Sequence, residues 1–205
     1  MNDRSEFLTQ LGTLATVAVF DADELQAAAA SAGTTWDTSW IDKLSSAQFR
    51  VVFNAEDISD GAAMDYASTF FGHFHDVHAT GDAQTRPVIV FPRLGTPMAL
   101  DDLLWERYAV GEDSKITDSA TRAPAKRNVF KQNIAALQQR GLICLVCNIA
   151  LGSWSARAAR RMNRKPEDVR AEAGANLIPG AILVPSGIYA LIRAQHAGCA
   201  YMPGT

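Results

Sequence analysis

The sequence predicts a three-layer α/β domain, a mostly parallel sheet with helices on both faces, and three observations carry that prediction. Short β-branched or aliphatic runs alternate with helix-patterned segments from Phe49 onward, the order that right-handed βαβ crossovers produce. Several runs are apolar without alternation, as in Leu142 to Cys147 (LICLVC) and Ala181 to Val184 (AILV), which suits strands covered on both faces. Gly or Pro stands at most of the junctions between a run and the next helix, where the chain must turn.

Taken in order, the first forty-five residues read as two or three short helices, with Thr38 and Ser39 starting the one that carries Trp40 to Leu44. Phe49 to Asn54 (FRVVFN) is the first strand. Asp60 opens a helix to about His75, with Ala63, Ala67, Phe70, Phe71 and Phe74 at core spacing. Thr85-Arg86-Pro87 separates it from a second strand, Val88 to Phe91 (VIVF). Leu94-Gly95-Thr96-Pro97 then turns into a helix from Met98 to Tyr108. Residues 111–123 are polar and read as a long mobile loop, and Pro124 fits the first turn of a helix that runs to Arg140 and stops at Gly141. The LICLVC strand follows, then a helix from Asn148, a break at Lys165-Pro166 and a short helix started by Pro166. The AILV strand, a helix from Ile188 to His196 and a small strand around Gly198 to Tyr201 complete the pattern.

Composition bounds the function. The 205 residues are 48% hydrophobic and 20% charged with a formal charge of -3, an ordinary globular balance rather than a disordered one. Eleven of the nineteen Lys and Arg lie between Arg122 and Arg170 with only Glu167 and Asp168 as acids, giving +9 there and -12 over the rest. That segment suits an acidic partner or the chain's own acidic portion. Arg157, Arg160, Arg161 and Arg164 fall at i, i+3, i+4 and i+7 within it, one helix face of guanidinium groups that also suits plain solvation. No aromatic interleaving accompanies the stripe, which argues against nucleic acid. No window is long and apolar enough for a membrane span. There is no P-loop, G-x-G-x-x-G, G-x-S-x-G or H-E-x-x-H pattern, so the common nucleotide, hydrolase and metalloprotease readings fall away. His73, His75 and His78 put at most two imidazoles on one helix face, short of a metal ligand set. Trp36, Trp40, Trp105 and Trp154 read as core or subunit-interface anchors.

Ligands of an open α/β sheet gather outside the carboxyl ends of its strands, where helix N-termini present free N–H groups. That rule selects Asn54, Arg93, Cys147, Asn148, Ser186 and Gly187. Cys147 is the only nucleophile among them. A thiol in the first turn of a helix sits at the positive end of its dipole, which favours the thiolate. A small hydrophobe at a strand end is the plainer alternative. Cys144 and Cys147 form a C-x-x-C, but residues three apart on one strand point to opposite faces, so Cys144 is assigned to the core. Cys199 is either packed or paired between chains.

The ordered series Leu145-Val146-Cys147-Asn148-Ile149-Ala150-Leu151, then Leu177 to Gly187 (LIPGAILVPSG), then Ala190 to Tyr201 (ALIRAQHAGCAY) resembles the DsrE/DsrF-like family. In its single-domain branch a strand ending V-C-x-x-x-L precedes a P-G-(V/I)-x-V-(P)-(A/S)-G segment and a terminal helix ending G-x-A-Y. The resemblance implies a flavodoxin-like domain over residues 47–205, in trimers or multiples of them. It also implies a sulfur carrier or sulfurtransferase that relays sulfane sulfur through a persulfide on Cys147, between protein donor and acceptor thiols, with no metal or organic cofactor. A noncatalytic oligomeric binding or assembly module of the same fold is the alternative. Relative to short family members, residues 111–123 and 152–176 read as insertions. Residues 1–46 read as a helical arm or a degenerate export signal, because Arg4-Ser5-Glu6-Phe7-Leu8 before the apolar Leu8 to Phe20 is similar to a twin-arginine signal with Ser5 in place of the second arginine. A signal in use implies the periplasm, and otherwise the cytoplasm.

Overall fold

The computed structural model describes residues 35–205; the twin-arginine-like stretch and most of the expected arm lie outside the described residues. Strands β1 (Phe49–Asn54), β2 (Thr85–Phe91), β3 (Ile143–Cys147), β4 (Ala181–Val184) and β5 (Ala200–Pro203) form one sheet. Its order is β4-β3-β2-β1-β5 and every neighbouring pair is parallel. The helices are α1 (Ser39–Ser45), α2 (Ala62–His78), α3 (Asp102–Arg107), α4 (Val110–Asp113), α5 (Lys131–Gln139), α6 (Asn148–Arg161), α7 (Pro166–Ala175) and α8 (Gly187–His196). The architecture is a three-layer, flavodoxin-like α/β fold.

Strand alternation sorts the side chains into two cores. Val51 and Phe53 of β1 face one way, with Ile89 and Phe91 of β2, and meet Phe71 of α2, Ile134 of α5, and Leu151 and Trp154 of α6. Val52 faces the other way with Val88, Val90 and Leu145, under Trp40 and Leu44 of α1 and Ala190 and Ala194 of α8. Unbroken apolar runs are what a sheet covered on both sides requires. The crossovers after β1, β2 and β3 therefore share one face, while α8 returns the chain across the opposite face from the β4 edge to the β5 edge.

One cation ties that returning layer down. Arg50 Nη1 donates to Ala197 O at 2.9 Å and Leu44 O at 3.5 Å, so a guanidinium sits at the C-terminal ends of both α8 and α1, where the helix dipoles favour positive charge. Its Nε is buried without a partner, which offsets part of the gain. Arg50→Met is expected to lower stability by about 1.5 kcal/mol, since two carbonyls lose a charged donor while one orphaned N–H disappears. Urea unfolding checks this, and an unchanged midpoint would show that water replaces the guanidinium without cost.

The structure departs from the sequence reading in several places: Thr85, Arg86 and Pro87, expected to precede the second strand, belong to β2, and two expected helices are displaced through contacts distant in sequence. The expected helix from Met98 to Tyr108 is a 3-10 stretch, Arg93–Ala99, followed by a break and then α3. At the break Leu100 pairs antiparallel with Leu177, and Asp101 N donates to Asn176 O. The helix expected from Pro124 begins at Lys131 instead. Pro124 bridges Thr117, and buried Asn128 donates from Nδ2 to Met98 O and Leu100 O, both at 2.8 Å, while its Oδ1 accepts from Phe130 N. The expected loop at 111–123 begins inside α4 and is otherwise a set of turns, with Asp118 Oδ1 accepting from Ala120 N and Thr121 N.

The arginine stripe is partly consumed within the chain. Arg161 pairs with Asp113 and donates to Tyr108 O. Arg164 lies past the end of α6 and contacts Glu172 and the Tyr108 hydroxyl. Arg107 completes the cluster on Glu172. Burial first, then the bond to Glu172, push the Tyr108 phenol up to about 12, so it remains protonated as the donor to that carboxylate. The 152–176 segment is thus clamped onto α3 and α4. His75 contacts Thr85 and Asp82, and His78 stacks on Phe49; no cluster of metal-ligating side chains forms among the described residues. None of the described helices is long and apolar enough to cross a membrane.

Candidate functional site

In an open parallel sheet the binding position is the point where successive strands send their helices to opposite faces. Here β3 leads into α6 on one face and β4 into α8 on the other. Cys147 and Val184 are the last register pair between those strands. Cys147, Asn148, Ser186 and Gly187 therefore stand together at the topological switch point, with two helices beginning there.

Cys147 is the N-cap of α6, a helix of 14 residues, with extended backbone (φ -70, ψ 116). Its Sγ accepts from Ala150 N at 3.3 Å, the N-cap geometry usually supplied by serine or aspartate. The residue is buried, 5% exposed. Ser186 caps α8 in the same way, its Oγ accepting from Tyr189 N at 3.0 Å. Gly187 permits a close approach, because a Cβ there would lie 3.0 Å from Pro92 Cβ, tighter than an ordinary contact. That contact brings the α8 start against the end of β2.

Arg93 follows Pro92 and is exposed, in a left-handed conformation (φ 46) that costs a non-glycine residue about 1 kcal/mol or more. Asn54 ends β1, two strands away from β3. It donates from Nδ2 to Glu56 Oε1 at 3.0 Å and to the Tyr201 hydroxyl at 3.3 Å, and its Oδ1 is buried without a partner. The site at β3 and β4 and the polar group at β1 and β5 are thus separate positions along one edge.

A residue that the sequence reading did not select is Arg170 of α7, whose Nη2 donates to Asn148 Oδ1. The signal lay in the helical period. Buried Val169 and Ala173 mark the inward stripe of α7, and Arg170 lies three before Ala173 on that stripe.

All three thiols are buried, Cys199 at 7% exposure and Cys147 at 5%, and what sets Cys147 apart is its place at a helix start. Cys144 points into the larger core, and burial pushes its thiol up to about 12. Cys199 lies under α8, where burial, eased by Arg50, pushes it up to about 11. Both are expected to remain protonated and unmodified when the folded protein is treated with iodoacetamide at pH 8, and peptide mapping checks it. Alkylation of either at the rate of a free thiol would contradict the burial.

No protein-family model matches the chain, and no curated protein does. Among solved structures, the protein of unknown function MTH1491 from Methanobacterium thermoautotrophicum is similar in fold, with a TM-score of 0.44 and 16% identity over 76% of this chain and 98% of that one.

Proposed function

We propose that the protein is a sulfur carrier or sulfurtransferase that accepts sulfane sulfur on Cys147 as a persulfide and passes it to a partner thiol. The observation that supports this reading is the thiol's position. Cys147 caps a long helix at the sheet's topological switch point and receives a backbone N–H on its sulfur. Helix-start N–H groups favour the negative charge that a thiolate or terminal persulfide sulfur carries. The resemblance of the Val146 to Leu151 and Pro179 to Gly187 segments to DsrE/DsrF-like proteins supports the same chemistry. Incubation of the protein with inorganic polysulfide followed by intact mass measurement tests it: one added sulfur, removed by dithiothreitol, is expected, and an unmodified mass overturns the reading.

A second reading, a noncatalytic oligomeric binding or assembly module, draws on the burial of Cys147 and on what the far layer leaves open. Strand β5 is exposed along its whole length, and Ile188 and Ile192 of α8 are exposed at 72% and 47%. A strand edge that is unpaired among the described residues, with apolar side chains of this kind, suits contact with further copies. Cys147 that resists every thiol reagent in the folded protein favours this module over the relay.

A further inference from the structure

Among the described residues, Arg170 carries a charge that no acid answers. Its guanidinium is half-buried, and its hydrogen bond goes to a neutral amide oxygen, Asn148 Oδ1. Arg107, Arg161 and Arg164 nearby each meet a carboxylate, whereas no ion pair is formed by Arg170 among the described residues. Burial alone acts on it and draws its pKa down. A guanidinium withdrawn from water without a counter-charge is costly, and an anion is what relieves that cost.

Asn148, the partner of Arg170, adds donors beside it. It is 6% exposed and is the first residue of α6. With Oδ1 committed to Arg170, its Nδ2 keeps two N–H donors with no acceptor among the described residues. These donors are reachable from solvent, and so by a ligand. The first turn of α6 adds N–H groups without helical acceptors. Asn148 adjoins Cys147 in the chain, and Arg170 reaches the same helix start through it.

We propose that Arg170, the Asn148 amide nitrogen and the first turn of α6 seat the oxyanion end of a small sulfane donor of the thiosulfate class, with its outer sulfur toward Cys147. The inference rests on the relay reading and names the donor that reading leaves open. The Cys147 thiolate attacks the outer sulfur, a new S–S bond forms, and the donor's own S–S bond breaks. Sulfite leaves with the electron pair of that bond, and the terminal persulfide sulfur keeps the charge that the thiolate brought. No proton, oxidant or reductant is needed. The seat holds the sulfonate oxygens before the step and the sulfite after it.

Two measurements test the seat, one of them independent of sulfur transfer. Sulfate, which has the oxyanion and no sulfane sulfur, is expected to slow iodoacetamide alkylation of Cys147 in a saturable way. Arg170→Gln is expected to weaken that protection about tenfold, the size of one lost charge-assisted contact, while Arg170→Lys keeps most of it. No protection in the wild type, or equal protection in Arg170→Gln with an unchanged melting temperature, overturns the seat. In the second measurement, thiosulfate loading of Cys147 falls about tenfold in Arg170→Gln, and loading from inorganic polysulfide, which has no oxyanion head, is unchanged. Loading of the wild type by polysulfide but not by thiosulfate overturns the seat and leaves the relay standing. A wild type that neither donor loads overturns the relay, and the sulfate result alone then decides the seat.

Discussion

Cys147→Ser is expected to abolish sulfane uptake completely while leaving the fold in place. The two effects separate because the proposed relay adds to the residue's capping role a second one of different chemistry. As the N-cap of α6 it accepts the Ala150 N–H on its sulfur, and serine is among the preferred caps, so stability should change by no more than about 1 kcal/mol. As the nucleophile of the proposed relay it has no substitute, since a serine hydroxyl cannot form an S–S bond. Intact mass after polysulfide treatment should show one added sulfur in the wild type and none in Cys147→Ser, with superimposable thermal unfolding. Equal uptake by the variant would move the chemistry elsewhere. Cys144 and Cys199 are poor candidates, since burial holds both thiols far above neutral pH.

Gly95→Ala is expected to cost about 3 kcal/mol, the upper end of what overpacking does, and to lower the melting temperature by roughly 6 to 12 °C. The cause is purely steric. A Cβ at this position would lie 1.8 Å from Ala55 O, a backbone atom that cannot swing away. Gly95 N meanwhile donates to Glu56 O at 3.1 Å and Pro92 O at 2.9 Å, so the loop after β2 is stitched to the loop after β1. Moving Gly95 to relieve the clash breaks those bonds and disturbs Pro92, against which Gly187 and the α8 start are packed. Gly72 within α2 is the control. Nothing lies within 4 Å of its would-be Cβ, so Gly72→Ala should stabilise by about 0.5 to 1 kcal/mol through helix propensity. Calorimetry on the pair checks both signs, and a Gly95→Ala protein as stable as the wild type would contradict the close approach.

The strands could be read because their signal is local. FRVVFN and AILV have the bounds that their composition suggests, and Pro166 starts α7 as its fixed φ predicts. Cys147 ending a strand and Asn148 opening a helix followed from the same local patterning. What could not be read depends on partners far along the chain. Residues 124–130 have nothing in their own sequence against a helix. The Met98 and Leu100 carbonyls, which take the Asn128 amide, hold them in another path. The arginine stripe looked like one helical face, yet Arg164 lies outside α6 and meets Glu172, and Arg161 meets Asp113. Of the candidate site, Cys147, Asn148, Ser186 and Gly187 come together because strand ends are local features and the switch point collects them. Arg170 comes from α7, so only the helical period of that segment hinted at it.

The placement of β5 beside β1 has a kinetic consequence. Val51 pairs with Ala200, and Arg50 reaches Ala197 across 147 positions of sequence. A nascent chain can assemble β1 through β4 stepwise, each new strand docking on the one before. The flank of β1 must wait, open, until the final strand has been synthesised. Closure of a loop that long is slow compared with local assembly. During that interval the flank, which no other described strand covers, is the surface on which two unfinished chains would stick.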